Sequence, residues 1–235
     1  MGLVKYGAGI IQISGSIAGD VHARNRFGNY IRPRTKPVNP HSVRQEQVRA
    51  QLSFLAEYWH ENLSIAQRVA WEVYAAAVAM KNRLGETIHL TGFNHFMRTN
   101  GAHMRWSGVV LPNAPVVLAL PEKDDALVIS DEGIATQTFN FTCDNTGWGP
   151  GVDDKLLIML YQGLPQLASR TFFAGPWRYM GIINATEGAA GTAVRDAVFP
   201  FGLGQKVWIQ ARLMTDQGRL TTTWQLDPRI IVADP

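Results

Sequence analysis

The sequence predicts a mixed α+β chain of more than one domain: an extended N-terminal arm (1–40), a small helical domain (41–110) and a C-terminal antiparallel β-sandwich (111–235). Three observations carry this. Gly, Pro and unbalanced cations fill positions 1–40, apolar residues recur at helical spacing from Val48 to Met104, and beyond Pro121 the apolar period changes to two. With 235 residues and 46% hydrophobic content, the chain exceeds a typical single domain and has the material for real cores.

The arm is organised around Gly15–Arg49. Between Val21 and Gln45 stand Arg24, Arg26, Arg32, Arg34, Lys36 and Arg44, with no Asp or Glu among them. Pro33, Pro37 and Pro40 remove amide donors and push the residues before them towards extended conformations, which disfavours a continuous helix or a central strand. Gly15, Gly19 and Gly28 loosen the segment further, and its apolar residues are too sparse for a core. The expectation is therefore an extended arm, turning at Pro37–Pro40, that lies on a partner's surface. Ile10, Ile11 and Ile13 are expected to form a short strand suited to edge addition onto a neighbouring subunit.

Two capping boxes open the helical unit. Ser42 with Gln45 and Ser64 with Gln67 have the required spacing. Val48, Leu52, Leu55 and Trp59 form one stripe on a helix ending near Asn62, and Trp71, Tyr74 and Val78 form a second, to about Met80. A tight turn between them makes an antiparallel helix pair. Asn82–Leu90 reads as a turn or small hairpin, after which Thr91 caps a third helix with Phe93, Phe96, Met97, Asn100 and Met104 on one face. The expected core is Leu52, Leu55, Trp59, Trp71, Tyr74, Phe93 and Phe96, small enough to need support from the arm or a partner.

Pro112, Pro115 and Pro121 mark a linker. Thr138–Thr142 then alternates with Phe139 and Phe141 on one face, Leu156–Tyr161 suits a central strand, and Trp177–Ile183 supplies another. Val207, Ile209, Ala211 and Leu213 alternate, Asp216-Gln217-Gly218 turns, and Leu220, Thr222, Trp224 and Leu226 resume. Short strands with turns between them indicate an antiparallel sandwich. The closing stretch VWIQARLMTDQGRLTTTW resembles the last hairpin of a fibronectin type III-like or Ig-like domain, without the Cys–Trp–Cys hallmark of antibody domains.

Over about residues 15–108 the chain also resembles a family of tailed-bacteriophage structural, virion-associated proteins to which no activity is attached. The matching elements are Gly15-Ser16, Asn25-Arg26, Gly28, Arg32, the Pro37–Pro40 turn, Gln67-Arg68, Trp71 and Leu90–Asn94. This resemblance implies a component of a phage particle and carries no catalytic residue with it.

The residues themselves point away from catalysis. His22, His41, His60, His89, His95 and His103 are scattered; His95 and His103 share a helix, but metal ligation needs closer partners, so polar surface histidines are expected. Cys143 is expected to be a packed thiol. Asp124-Asp125 and Asp153-Asp154 lack alternating oxygen ligands for calcium, so solvated turns are expected. GAGIIQISG lacks the Lys-Ser/Thr ending of a phosphate loop. The reading assigns no catalytic residue, metal or cofactor. No apolar run approaches membrane-spanning length, the N-terminus has no secretory pattern, and Tyr6 breaks the myristoylation pattern, so no membrane partner is expected.

Charge narrows the choice of partner. Up to Val110 there are 13 Lys/Arg and 6 Asp/Glu, a net of +7; from Leu111 there are 9 and 13, a net of −4, which together give the overall +3. Arg24, Arg26, Arg32 and Arg34 interleaved with Phe27 and Tyr30 suit phosphates and stacked bases. The same mixture suits a protein interface, which the small net charge and acidic C-terminal half favour. The expected partner-binding residues are Arg24, Arg26, Phe27, Tyr30, Arg32, Arg34 and Lys36. The expected function is a virion structural protein, a capsid decoration or cement protein gripping the major capsid protein or other virion subunits and forming homo-oligomers in the particle. A tail or head–tail connector component is the alternative. A host-surface or glycan-binding module is a third, whose signature would be exposed Trp148, Trp177 or Trp208.

Overall fold

The computed structural model describes residues 2–232 other than 8, 37, 83, 150 and 152. The chain is mixed α+β and divides into two compact units, Met1–Met97 and Arg98–Pro235.

The N-terminal unit opens with four strands, β1 (Gly2–Val4), β2 (Gly15–Ile17), β3 (Asp20–Asn25) and β4 (Gly28–Pro33), in one antiparallel sheet of order β1-β4-β3-β2. This overturns the expectation of an extended arm with no fold of its own. The physical reason is that the chain breakers stand between strands or at their ends and not in their middles. Asn25 to Gly28 closes the β3–β4 hairpin: Asn25 Oδ1 accepts from the Phe27 amide at 2.9 Å, and Gly28 takes φ +118°, a conformation a side chain resists. Pro33 ends β4 and Pro40 follows the sheet, so neither interrupts a ladder. Pro37 lies outside the described residues. Ile10, Ile11 and Ile13 are not in a strand; the edge strand starts at Gly15.

Helices α1 (Val43–Glu61) and α2 (Ile65–Ala77) begin at the expected capping boxes, with Ser42 and Ser64 accepting from the amides of Gln45 and Gln67. Helix α2 stops at Ala77, short of the expected Met80, because Val78 is already extended. Strands β5 (Ala79–Lys81) and β6 (Thr87–His89) form a hairpin that begins before the expected Asn82, and α3 (Gly92–Ser107) starts behind Thr91, whose hydroxyl accepts from the Asn94 amide at 3.2 Å. The aromatic core centres on Phe96, whose ring lies 5.3 Å from Trp59 and 5.7 Å from Trp71, edge-on to the latter. Phe93 meets Trp59 edge-on at 5.6 Å, and Tyr74 meets His95 at 5.1 Å. Leu55, Trp59, Trp71, Tyr74 and Phe96 are buried as expected, and Phe93 is half-buried. Leu52 is not in the core: it is 47% exposed, and Val48 on the same stripe is 37% exposed. The stripe is genuine, but its cover ends at Leu55.

The C-terminal unit contains β7 (Val128–Gly133), β8 (Thr138–Thr142), β9 (Lys155–Gly163), β10 (Gln166–Leu167), β11 (Trp177–Asn184), α4 (Ala185–Ala190), β12 (Thr192–Asp196), β13 (Gln205–Val207), β14 (Ile209–Thr215), β15 (Trp224–Gln225) and β16 (Arg229–Ile230). They build antiparallel sheets of order β12-β8-β7, β11-β9-β14-β15 and β10-β13-β16. The alternation read from the sequence fixes the inward faces. Phe139 and Phe141 of β8 join Ile158 and Leu160 of β9 and Ile209, Ala211 and Leu213 of β14 in one buried cluster. Strand β9 is buried on both faces, because Leu157 and Met159 form a second cluster with Met214 and Leu220, packed by Ala102.

Two glutamines, Gln162 buried and Gln137 half-buried, complete this unit. Gln162 of β9 accepts from the amides of Val198 (2.6 Å) and Phe199 (3.0 Å) and donates to the Phe199 carbonyl at 2.9 Å. Gln137 accepts from the Phe201 amide at 2.9 Å and donates to its carbonyl at 3.1 Å. The segment after β12 is thus held by side-chain amides standing in for a neighbouring strand.

Candidate functional site

The first fifty-odd residues present the clearest candidate. Among the described residues from 2 to 54, none is buried. A four-stranded sheet normally keeps at least one face packed, since burial is what offsets the entropy of ordering it. Here both faces remain open or half-covered.

Strand register decides where the expected partner-binding residues stand. In the β3–β4 ladder Val21 pairs with Arg32, Ala23 with Tyr30 and Arg24 with Asn29. Paired residues share a face and neighbours alternate, so Arg32 and Tyr30 lie on one face and Arg24 on the other. Arg26 and Phe27 are in the hairpin turn, and Arg34 and Lys36 follow the last strand. The sheet therefore distributes the arginine–aromatic mixture over two faces and an end; it does not gather it into one patch. Arg24, Arg26, Arg32, Arg34 and Lys36 are all exposed, and none forms an ion pair among the described residues. Among the described residues Arg24 reaches Gln12 Oε1, at 3.4 Å, while the Arg34 amide donates to the Gly19 carbonyl at 2.7 Å. Tyr6 Oη lies 3.1 Å from His22 Nδ1, and Lys5 pairs with Glu86. The result is a sheet of open cations without counter-charges, preceding a helix whose apolar stripe is half uncovered.

Charged groups of the C-terminal unit behave differently, because they answer one another. A cleft of about 450 Å³ is lined by Glu122, Asp124, Asp144, Asp153, Lys155 and Arg219, among others. Asp124 is buried, accepts from the amides of Ala126 (3.0 Å) and Asp144 (3.3 Å), and lies 3.5 Å from Lys155 Nζ. Lys155 also donates to Asp144 at 2.8 Å, and together with Thr146 this holds the Asp144 carboxyl down at about 2. Arg219 grips Asp153 through two nitrogens. The expected solvated turns at Asp124 and Asp153 are thus corrected to charge-paired positions, held by cations distant in sequence.

The histidine expectation is corrected too. His95 and His103 are buried, not surface groups; His103 Nδ1 lies 2.8 Å from the Val109 carbonyl and 2.9 Å from Ser107 Oγ. Sequence reasoning put Asn100 on the face of α3 without giving it a polar role, and did not single out Arg98 or Thr99. Arg98 donates to the carbonyls of Leu220 and Thr221 at 2.7 Å, Thr99 donates to the Gly218 carbonyl at 2.8 Å, and Asn100 both accepts from the Leu111 amide (2.6 Å) and donates to its carbonyl (3.1 Å). These three residues are consecutive, and the partners of Arg98 and Thr99 lie more than a hundred residues along the chain, so no local pattern marks them. Cys143 is buried, and that burial, with the Asp124 charge nearby, pushes its thiol upward. Among the described residues no cluster of His, Cys, Asp and Glu suits a metal ion, and no helix is long and apolar enough to cross a membrane. Trp208 is buried, Trp148 is half-buried and donates to the Asp144 carbonyl at 2.6 Å, and Trp177 is half-buried edge-on to Phe173. None of the three is an exposed platform.

No family model and no curated protein matches the chain. Among solved structures it is similar to the twitchin kinase region from C. elegans (Fn31-NL-kin-CRD-Ig26), at 9% identity and TM-score 0.33, over 48% of this chain and 17% of that one. It is likewise similar to titin domains A168–A170, at 12% identity and TM-score 0.33, over 49% of this chain and 33% of that one. At this level the likeness carries no argument about activity.

Proposed function

We propose that this chain is a non-enzymatic structural component of a tailed-phage virion, a capsid decoration or cement protein whose N-terminal unit docks on neighbouring virion subunits and whose C-terminal unit is a β-sandwich of the fibronectin type III or Ig kind. The observation that carries the reading is the absence of any buried residue among those described from 2 to 54. Ordering each of those residues costs roughly 1–2 kcal/mol of backbone entropy, and the chain supplies little apolar burial of its own to offset it. A covering partner supplies it. The unpaired Arg24, Arg26, Arg32, Arg34 and Lys36 favour a partner surface rich in carboxylates, where guanidinium groups pair bidentately. The resemblance to phage structural proteins over residues 15–108 supplies the biological setting.

The test is deletion of residues 1–36 with quantification of the protein on assembled particles. The expected result is a chain whose C-terminal unit keeps its stability while incorporation is lost, and particles that become more sensitive to heat. Truncated protein retained at full copy number overturns the proposal. Cross-linking of the intact protein to tail subunits in place of the shell moves it to the tail, and salt-steep DNA binding without capture of shell protein refutes the protein-interface reading.

A further inference from the structure

We propose that the outer face of α2 is a self-docking surface on which a second copy of this chain lies antiparallel. This inference is independent of the virion reading. Helix α2 buries Trp71, Tyr74 and Ala75 on one side. Its other side carries Ile65, Val69 and Val73 at successive four-residue steps, 75%, 55% and 52% exposed, with Ala66, Ala70, Ala76 and Ala77 exposed around them. Only Gln67, Arg68 and Glu72 interrupt the apolar character of the 13-residue helix. A helix that is apolar all round belongs in an interior, and the first face alone has one here. Alanines beside a β-branched ridge also let a second helix approach closely.

The charges select the occupant. Arg68 and Glu72, one turn apart, stand on one edge of this face, and neither is in an ion pair among the described residues. A two-fold axis passing beside α2, level with Val69 and Ala70 and perpendicular to the helix, reverses the helix direction and keeps that edge on the same side. Arg68 of each copy then meets Glu72 of the other, while Val69 approaches its own counterpart and Ile65 approaches Val73. A parallel pair would instead set the charged edge against the alanine edge and leave both charges unanswered. This self-complementarity is what an isologous interface requires. Helix α2 spans only about 20 Å, well short of the roughly 800 Å² per partner of a standard interface, so self-association is weak in dilute solution and becomes effective where copies are held close together.

Sedimentation equilibrium on the full chain over a wide concentration series tests the proposal. The expected result is reversible dimerisation that Val69→Asp abolishes without changing the helical circular dichroism or the melting profile, since Val69 is exposed. Arg68→Glu weakens the dimer by about tenfold or more, because two like-charge contacts replace two opposite ones. The double variant Arg68→Glu/Glu72→Arg recovers to within about threefold of the natural chain. A chain that stays monomeric at every concentration overturns the proposal, as does a dimer indifferent to Val69→Asp or a charge swap that fails to rescue. Capture of a shell subunit that Val69→Asp abolishes, with the chain itself monomeric, also overturns it and assigns the face to that other protein.

Discussion

Truncating Phe96 to alanine should cripple the N-terminal unit, whereas truncating Leu52 should not. Phe96 is fully buried between Trp59, Trp71 and Tyr58, at ring separations of 5.3, 5.7 and 6.3 Å. Removing a ring from such a site costs about 3–5 kcal/mol in lost transfer energy and cavity formation. Among the described residues of this unit the other large apolar side chains that are fully buried are Leu55, Trp71 and Tyr74, so the loss approaches the stability the unit has to give. Leu52 is 47% exposed, and its truncation costs about 1 kcal/mol or less in the free chain. Native-state hydrogen exchange of α1–α3 peptides is the suitable assay, because two compact units make a single unfolding midpoint ambiguous. Protection in these helices should collapse in Phe96→Ala and persist in Leu52→Ala. Equal losses in the two variants, or a Phe96→Ala cost under about 1 kcal/mol, would refute the claim that the core stops at Leu55.

Other expectations concern the C-terminal unit. Alanine for glycine inside a helix normally stabilises by roughly 0.5–1 kcal/mol, but at Gly188 of α4 the added methyl would lie 2.2 Å from the Trp148 ring, so Gly188→Ala should lower the urea midpoint. Arg229→Leu should leave the buried Glu132 carboxylate without its cation and cost about 2–4 kcal/mol at neutral pH, read by urea denaturation. Asp144 is depressed from 3.8 to about 2, so the stability it contributes is present above its unfolded value and fades as pH falls through that window. Lys155→Met should flatten the acid dependence of the urea midpoint between those two values.

What was legible in the sequence was what local chemistry decides. Ser42 with Gln45 and Ser64 with Gln67 placed two helix starts, because a capping box needs only its own four residues. Phe139 and Phe141, and the run from Leu157 to Leu160, marked buried strand positions by their own periodicity. The N-terminal sheet escaped notice because its strands carry no apolar alternation; they are defined by turns at Ala18-Gly19 and Asn25–Gly28. Leu52 was misplaced because a stripe reveals which side of a helix is apolar and not how far its cover extends. Asp124 and Asp153 were misjudged for a third reason. Their partners Lys155 and Arg219 lie far along the chain, and nothing in a local window joins them. In the candidate site, the individual cations were legible but their division between two faces was not, since that depends on register.

The two glutamine clamps have a consequence for how this protein varies. Gln162 and Gln137 hold the segment from Val198 to Phe201 through its main-chain amides and carbonyls, and of the side chains there Phe201 is buried against Phe139. Val198, Pro200 and Leu203 point to solvent and contribute little to the anchoring. Apart from Phe201, and from Phe199 under the Arg178 guanidinium, the anchorage thus reads backbone, as a strand ladder does. Such a loop can exchange its outward residues, or accept a grafted sequence after Phe201, while its stem stays registered on the unit that carries it. It is a place where new surface can be tried at little risk to the fold.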